Sequence, residues 1–294
     1  LAALAPAVSE PGPGRALVLA GGGVAGIAWE IGVLRGIEEA DPALARSLLA
    51  ADLVVGTSAG AVVGALVTTG CPLADCFVAQ VEQRVPELAP PVALPELLEA
   101  LGEALAGASD PRERGRRIGA VARAARTVPP AVRRAVIAAR LPVQEWPERD
   151  LRVVAVDAET GERVVLERDS GVDLVDAVAA SCAVPGVWPL VRAKDRWLMD
   201  GGVWSAANLD VATGAERVLV LSPSDPASAT LGEPLVGQVE RFGPSRVLVV
   251  AADPPSASAL GPNPLDPGTR PAAAQAGRAQ GRRLAAAVAA FWAA

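Results

Sequence analysis

Ser58 lies in Gly56-Thr57-Ser58-Ala59-Gly60, the G-x-S-x-G pattern that presents a nucleophilic hydroxyl on a tight strand-to-helix turn. Such a turn needs small flanking residues, and Gly56 and Gly60 meet that need. The usual base for this serine is a histidine, and the 294 residues contain none. The proton must then pass to a carboxylate or to water. An ordinary aspartate, with a pKa of ~3.9, is a weak base for a hydroxyl and becomes stronger when burial raises that value. Asp200 follows the apolar run Trp197-Leu198-Met199 and precedes Gly201-Gly202, which permit a sharp turn and close approach to another loop. Asp-Gly is equally a common hairpin dipeptide, so spacing alone leaves base and turn level. Three other carboxylates rank lower. Glu30 falls inside a helical segment and reads as solvated, Asp157 borders a hairpin, and Asp210 has no glycine-rich approach beside it.

A second glycine cluster, Gly21-Gly22-Gly23-Val24-Ala25-Gly26, follows a strand-like segment and opens a helix-like one. It matches G-x-G-x-x-G, which invites a dinucleotide-binding oxidoreductase with the pyrophosphate at the helix N-terminus. The acidic residue expected at the end of the next strand is missing; Gly56 and Ser58 stand there instead. The other use of such a loop is to aim backbone amides at a tetrahedral oxyanion. That role needs a nucleophile nearby, and Ser58 on the next strand supplies one.

Both clusters depend on the elements around them. Ala16 to Ala20 and Leu53 to Val55 read as short buried strands, each followed by a helical segment. Ile27, Ile31, Leu34 and Ile37 share a face of the first. This repeat implies a parallel sheet with crossover helices. From about Leu73 to Arg140 the pattern is helical with proline breaks, an insertion serving as lid, pocket wall or plain packing. Strands return as a hairpin around Glu159 to Gly161, in the segment ending at Asp200, and in two buried runs that flank a helix over Leu235 to Phe242. Gln275 to Trp292 reads as a terminal helix. Residues 1–14 read as a tail and 15–294 as one domain.

Composition excludes several function classes. Without histidine or tyrosine there is no histidine-based metal site and no tyrosine acid. A net charge of −6 argues against nucleic acid as the main partner. Cys71, Cys76 and Cys182 have neither metal-site nor disulfide spacing and read as small buried hydrophobes. No apolar run approaches the ~20 residues of a membrane span, and no signal peptide is visible, so a cytoplasmic location with at most peripheral membrane contact is expected.

Taken together, GGGVAG, GTSAG and DGG in this order resemble the patatin-like phospholipase family, with supporting likeness in GIAWEIGVLRGIEEA and AASCAVPGVWPLV. The resemblance covers most of the chain and is weakest over 73–140. It implies a three-layer α/β/α fold with a mostly parallel sheet and a Ser–Asp dyad of Ser58 and Asp200. It also implies an oxyanion hole from the amides of Gly21, Gly22 and Gly23. Gly26, Gly56, Gly60, Gly201 and Gly202 are the remaining motif glycines. The implied reaction is hydrolysis of phospholipid, lysophospholipid or neutral acyl esters without a cofactor. A non-catalytic relative that binds lipid or a partner protein is the remaining alternative. Where the family's glycine loop often carries a cation, this chain has Ala25, which shifts the expectation toward a neutral or unusual acyl ester.

Overall fold

A computed structural model describes residues 14–90, 94–108, 110–228 and 232–293. The expected tail lies almost wholly outside these residues. Eight strands form one sheet: β1 (Arg15–Leu19), β2 (Leu53–Thr57), β3 (Asp150–Asp157), β4 (Arg163–Leu166), β5 (Val191–Ala193), β6 (Arg196–Asp200), β7 (Arg217–Ser222) and β8 (Val247–Ala251). Strands β3, β2, β1, β7 and β8 run parallel in that spatial order, while β4, β6 and β5 add antiparallel pairings at one side. The sheet is therefore mixed and mostly parallel.

The α-helices are α1 (Gly23–Ala40), α2 (Pro42–Leu49), α3 (Ala59–Thr68), α4 (Leu73–Val81), α5 (Leu94–Leu105), α6 (Pro111–Ala124), α7 (Pro130–Arg140), α8 (Leu174–Ser181), α9 (Leu235–Phe242), α10 (Pro254–Leu260) and α11 (Arg270–Ala293). The expected helical stretch after Leu73 resolves into α4 to α7. Proline opens α6 and α7 at the first turn, where its missing N–H costs nothing.

Side chains alternate across the pleat, so each strand feeds two cores. Leu17, Leu19, Val54, Val153 and Leu221 pack with α1, α3, α8 and α11 on one face. Ala16, Val18, Val55, Val154 and Val220 pack with Leu235 and Phe242 of α9 on the other. A smaller cluster joins Leu97, Leu101 and Ile118 of the insertion to Val156 and Met199. The result is the expected three-layer arrangement. Helix α11 lies so close to α1 that a Cβ on Gly36 would stand 2.1 Å from the Arg278 carbonyl oxygen.

The register along β3 positions the site. Strand β4 pairs with Val153 to Val156 and so occupies one edge of β3. The other edge is shared end to end: Thr57, the last residue of β2, pairs with Val154, and Asp200, the last residue of β6, pairs with Ala155. Two strands distant in sequence thus deliver their final residues to one point.

Candidate active site

Ser58 follows β2 with φ 52° and ψ −111°, a conformation that side chains other than glycine rarely adopt. Such strain persists only where neighbours over-determine it. The Ser58 amide donates to Ser181 Oγ at 2.8 Å, and the Ser181 hydroxyl donates to the Val154 carbonyl at 2.6 Å. The Cys182 thiol, pushed up to about 12 by burial, donates to the Ser58 carbonyl at 3.2 Å. Gly60 donates its amide to the Ala20 carbonyl at 3.1 Å, and a Cβ there would stand 2.0 Å from the Leu19 carbonyl oxygen. Only glycine lets α3 start this close to β1, so Gly60 also has a packing role.

Asp200 is 5% exposed. Its Oδ1 accepts from the Gly202 amide at 2.7 Å, which fixes the plane of the carboxylate. Burial pushes its carboxyl up to about 6, while hydrogen bonding from the Gly202 amide and the Ser58 hydroxyl holds it down. The turn after it is pinned by Asn208, whose Nδ2 donates to Thr57 Oγ1 at 3.1 Å and to the Ser205 carbonyl at 2.6 Å. Gln238 of α9 donates to Ser205 Oγ at 2.5 Å and accepts from the Leu209 amide at 3.0 Å. A Cβ at Gly201 would meet the Val154 carbonyl oxygen at 2.3 Å, so a side chain there would push Asp200 off β3.

The glycine loop stands opposite. Gly21 donates its amide to the Ala206 carbonyl at 2.8 Å, so this amide is engaged and cannot also serve an oxyanion as it stands. No acceptor among the described residues takes the amides of Gly22 or Gly23. Gly26 packs at α3, where an added Cβ would meet Ala59 Cβ at 3.3 Å. The Ala25 amide donates to the Pro264 carbonyl at 3.1 Å, and a Cβ on Gly23 would stand 2.4 Å from that oxygen. The segment around Pro264 therefore covers the helix end where a dinucleotide pyrophosphate would have to lie.

A mainly apolar cleft of ≈ 230 Å³ opens over these groups, lined by Ser58, Asp200, Gly21 to Gly23, Leu97, Leu101, Leu235 and Leu265. Helix α5 of the insertion thus forms part of its wall. The lower-ranked carboxylates lie outside this cleft. Asp157 caps its own hairpin, accepting from the Glu159 amide at 2.8 Å. Asp210 pairs with Arg163 at 2.6 Å. Glu30, expected to be solvated, is instead fully buried, neither carboxyl oxygen has a hydrogen-bond partner among the described residues, and desolvation raises its pKa well above the usual value. The face of α1 that carries it packs inward, a detail that helical periodicity did not resolve. Cys76 and Cys182 are buried as expected, while Cys71 is half-buried.

Ser181, Asn208, Ser205 and Gln238 escaped the sequence reading. Ser181 and Gln238 act on backbone groups of distant segments, and Asn208 and Ser205 tie the turn after Asp200 to Thr57 and Gln238; no local pattern marks such distant partners. Among the described residues no cluster of His, Cys, Asp and Glu could hold a metal ion, and no helix is long and apolar enough to cross a membrane.

The fold is similar to three solved structures of low sequence identity. VipD from Legionella pneumophila matches with a TM-score of 0.48 and 13% identity, over 94% of this chain and 67% of that one. The type III effector ExoU matches at 0.41 and 16%, over 95% and 54%. Full-length ExoU bound to SpcU, from Pseudomonas aeruginosa, matches at 0.39 and 15%, over 95% and 52%. The chain thus spans about half to two thirds of their lengths. No curated protein matches it in sequence. The model of one family, Patatin-like phospholipase, matches residues 17–213, which include the glycine loop, Ser58 and Asp200. With more than half its length matched, the chain belongs to the patatin-like phospholipase family.

Proposed function

We propose that the protein is a serine acyl hydrolase that cleaves carboxylic esters of lipids through a Ser58–Asp200 dyad. The observation that carries this reading is the pairing of a strained elbow serine, lining the cleft, with a buried aspartate that interacts with its hydroxyl and is pushed up to about 6. An aspartate of that basicity is ionised at neutral pH yet accepts a proton more readily than a solvated one.

In the proposed cycle, Ser58 Oγ attacks the ester carbonyl as Asp200 takes its proton. The amides of Gly22 and Gly23 stabilise the developing oxyanion. The tetrahedral adduct collapses, and Asp200 returns the proton to the departing alcohol. A water, deprotonated in turn by Asp200, then cleaves the acyl-enzyme. The Gly202 amide holds one carboxylate oxygen and leaves the other for the moving proton. The apolar cleft suits an acyl chain, and substrate is taken from a lipid surface by peripheral contact. No cofactor takes part in these steps.

A fluorophosphonate probe should label Ser58 and fail to label the Ser58→Ala variant. A panel of short and long acyl esters should be turned over by the wild type alone. Neither labelling nor turnover by the wild type across that panel would sink the proposal.

A further inference from the structure

Next to the cleft, behind the residues Ser58, Val184 and Leu265 that it shares with a smaller void, three buried charges meet. Arg133 and Arg140 of α7 both pair with Glu87, the first through Nη1 at 2.8 Å to Oε1 and the second to Oε2. The side chains of both arginines are 7% exposed and that of Glu87 is 4% exposed. One carboxylate therefore serves two guanidiniums. The guanidinium of Arg133 stacks 3.9 Å over Trp188, and its Nε is buried with no acceptor among the described residues. Arg270 lies close by and is held by the neutral acceptors Gln80 Oε1 at 2.9 Å and the Val85 carbonyl at 2.9 Å, so it adds positive charge. Asp75, at the edge of the same region, is exposed.

These arginines face the nucleophile. A void of ≈ 20 Å³ is lined by Ser58, Arg133, Arg140, Cys182 and Trp188. It shares Val24, Ile27 and Arg140 with a further chamber of ≈ 140 Å³. The void has room for one oxygen-sized group, since about 10–15 Å³ admits a water. Removing a cation from water without an equal counter-charge is costly, and a structural salt bridge would be expected to balance its charges. Desolvation and the neighbouring Arg140 both weaken the protonated state of Arg133, as expected for a cation short of a partner.

We propose that Arg133, with Arg140, forms an anion subsite beside Ser58 that takes one oxygen of a phosphate or carboxylate carried by the substrate a few atoms from the scissile ester. The inference rests on the hydrolase reading above and reverses the expectation of a neutral ester drawn from Ala25. The charge absent from the glycine loop is supplied by the helical insertion.

Two matched substrate pairs test it and separate its two sources. Mono-p-nitrophenyl succinate against p-nitrophenyl butyrate places the anion on the acyl side; lysophosphatidate against monoacylglycerol places it on the alcohol side. In at least one pair the wild type should favour the anionic member in kcat/KM by about ten-fold or more, the value of a hydrogen bond to a charged group. Arg133→Met should bring that ratio near one, and Arg133→Lys should retain part of it. Inorganic phosphate should bind the wild type in calorimetry at matched ionic strength and fail to bind Arg133→Met. Equal turnover within both pairs, with turnover still dependent on Ser58, would overturn the subsite and leave the hydrolase reading intact. A preference unmoved by Arg133→Met would overturn it too. Absence of phosphate binding to the wild type would do so without reference to any variant or any activity.

Discussion

Two buried carboxylates, Asp200 in the cleft with Ser58 and Glu87 behind the arginines that line the adjoining void, are held in opposite ways. Asp200, on the cleft side, has backbone and hydroxyl donors and no cation against it, and burial pushes its carboxyl up to about 6. Glu87, on the insertion side, is just as hidden from water, yet two guanidiniums hold it below the usual carboxylate range. Desolvation is the largest influence on both and acts upward on both. The partner decides the outcome: a lone buried carboxylate is kept ready to accept a proton, and a paired one is kept from doing so. This contrast supports the proposed division of roles, with Asp200 as the base and Glu87 ordering the cations of the proposed subsite.

The largest effect that tests the contrast is on turnover. Asp200→Asn should lower kcat/KM by about three to four orders of magnitude, the range of a lost general base. Near-normal activity in that variant would break the dyad assignment. In the wild type, activity should rise with pH and reach half its plateau near the Asp200 value of about 6, because only the carboxylate accepts the Ser58 proton. A limb displaced well above or below that point would assign it to another group.

Stability should respond in opposite directions on the two sides. Glu87→Gln leaves two buried arginines without a counter-charge and should cost about 3–5 kcal/mol in urea unfolding at pH 7. Because the folded pKa of Glu87 is lowered, its stabilisation is present above the usual carboxylate range and should fade as pH falls through it. Asp200→Asn should instead stabilise the protein. The folded pKa of Asp200 is raised from 3.8 to about 6, so the charged form is disfavoured in the fold. The gain should grow between those two pH values and level off above, at up to about 3 kcal/mol. A variant more stable and inactive is the signature of a strained functional group. The smallest effect concerns the support of the elbow. Ser181→Ala strands the buried Ser58 amide and should cost about 1–3 kcal/mol, with a loss of turnover below that of Asp200→Asn.

Sequence reasoning reached the parts of the molecule where chemistry dictates local pattern. The three glycine-bearing motifs, the alternation of strand and helix, and helix α9 over Leu235 to Phe242 were legible because each is written in contiguous residues. Strand β5, of three residues, and helix α10, of seven, were too short for periodicity to register, while α2 is separated from α1 by Asp41 alone and did not stand out from it. Gly21 illustrates a different limit. Its place in the motif suggests a free amide, yet the Ala206 carbonyl, delivered from beyond Asp200, engages it. Glu30 and Arg133 are the strongest cases. A charged residue on a helix reads as solvated, and only the tertiary fold shows that one is sealed in the core and the other faces the nucleophile.

The sharing of one edge of β3 by β2 and β6 ties the proposed dyad to strand alignment. Successive side chains on a strand point to opposite faces, so a one-residue slip of β6 would turn Asp200 away from Ser58 while leaving most of the sheet intact. If Ser58 and Asp200 act as proposed, no sheet lacking the β3–β6 seam has a working dyad, and the first turnover during refolding times the closing of that seam.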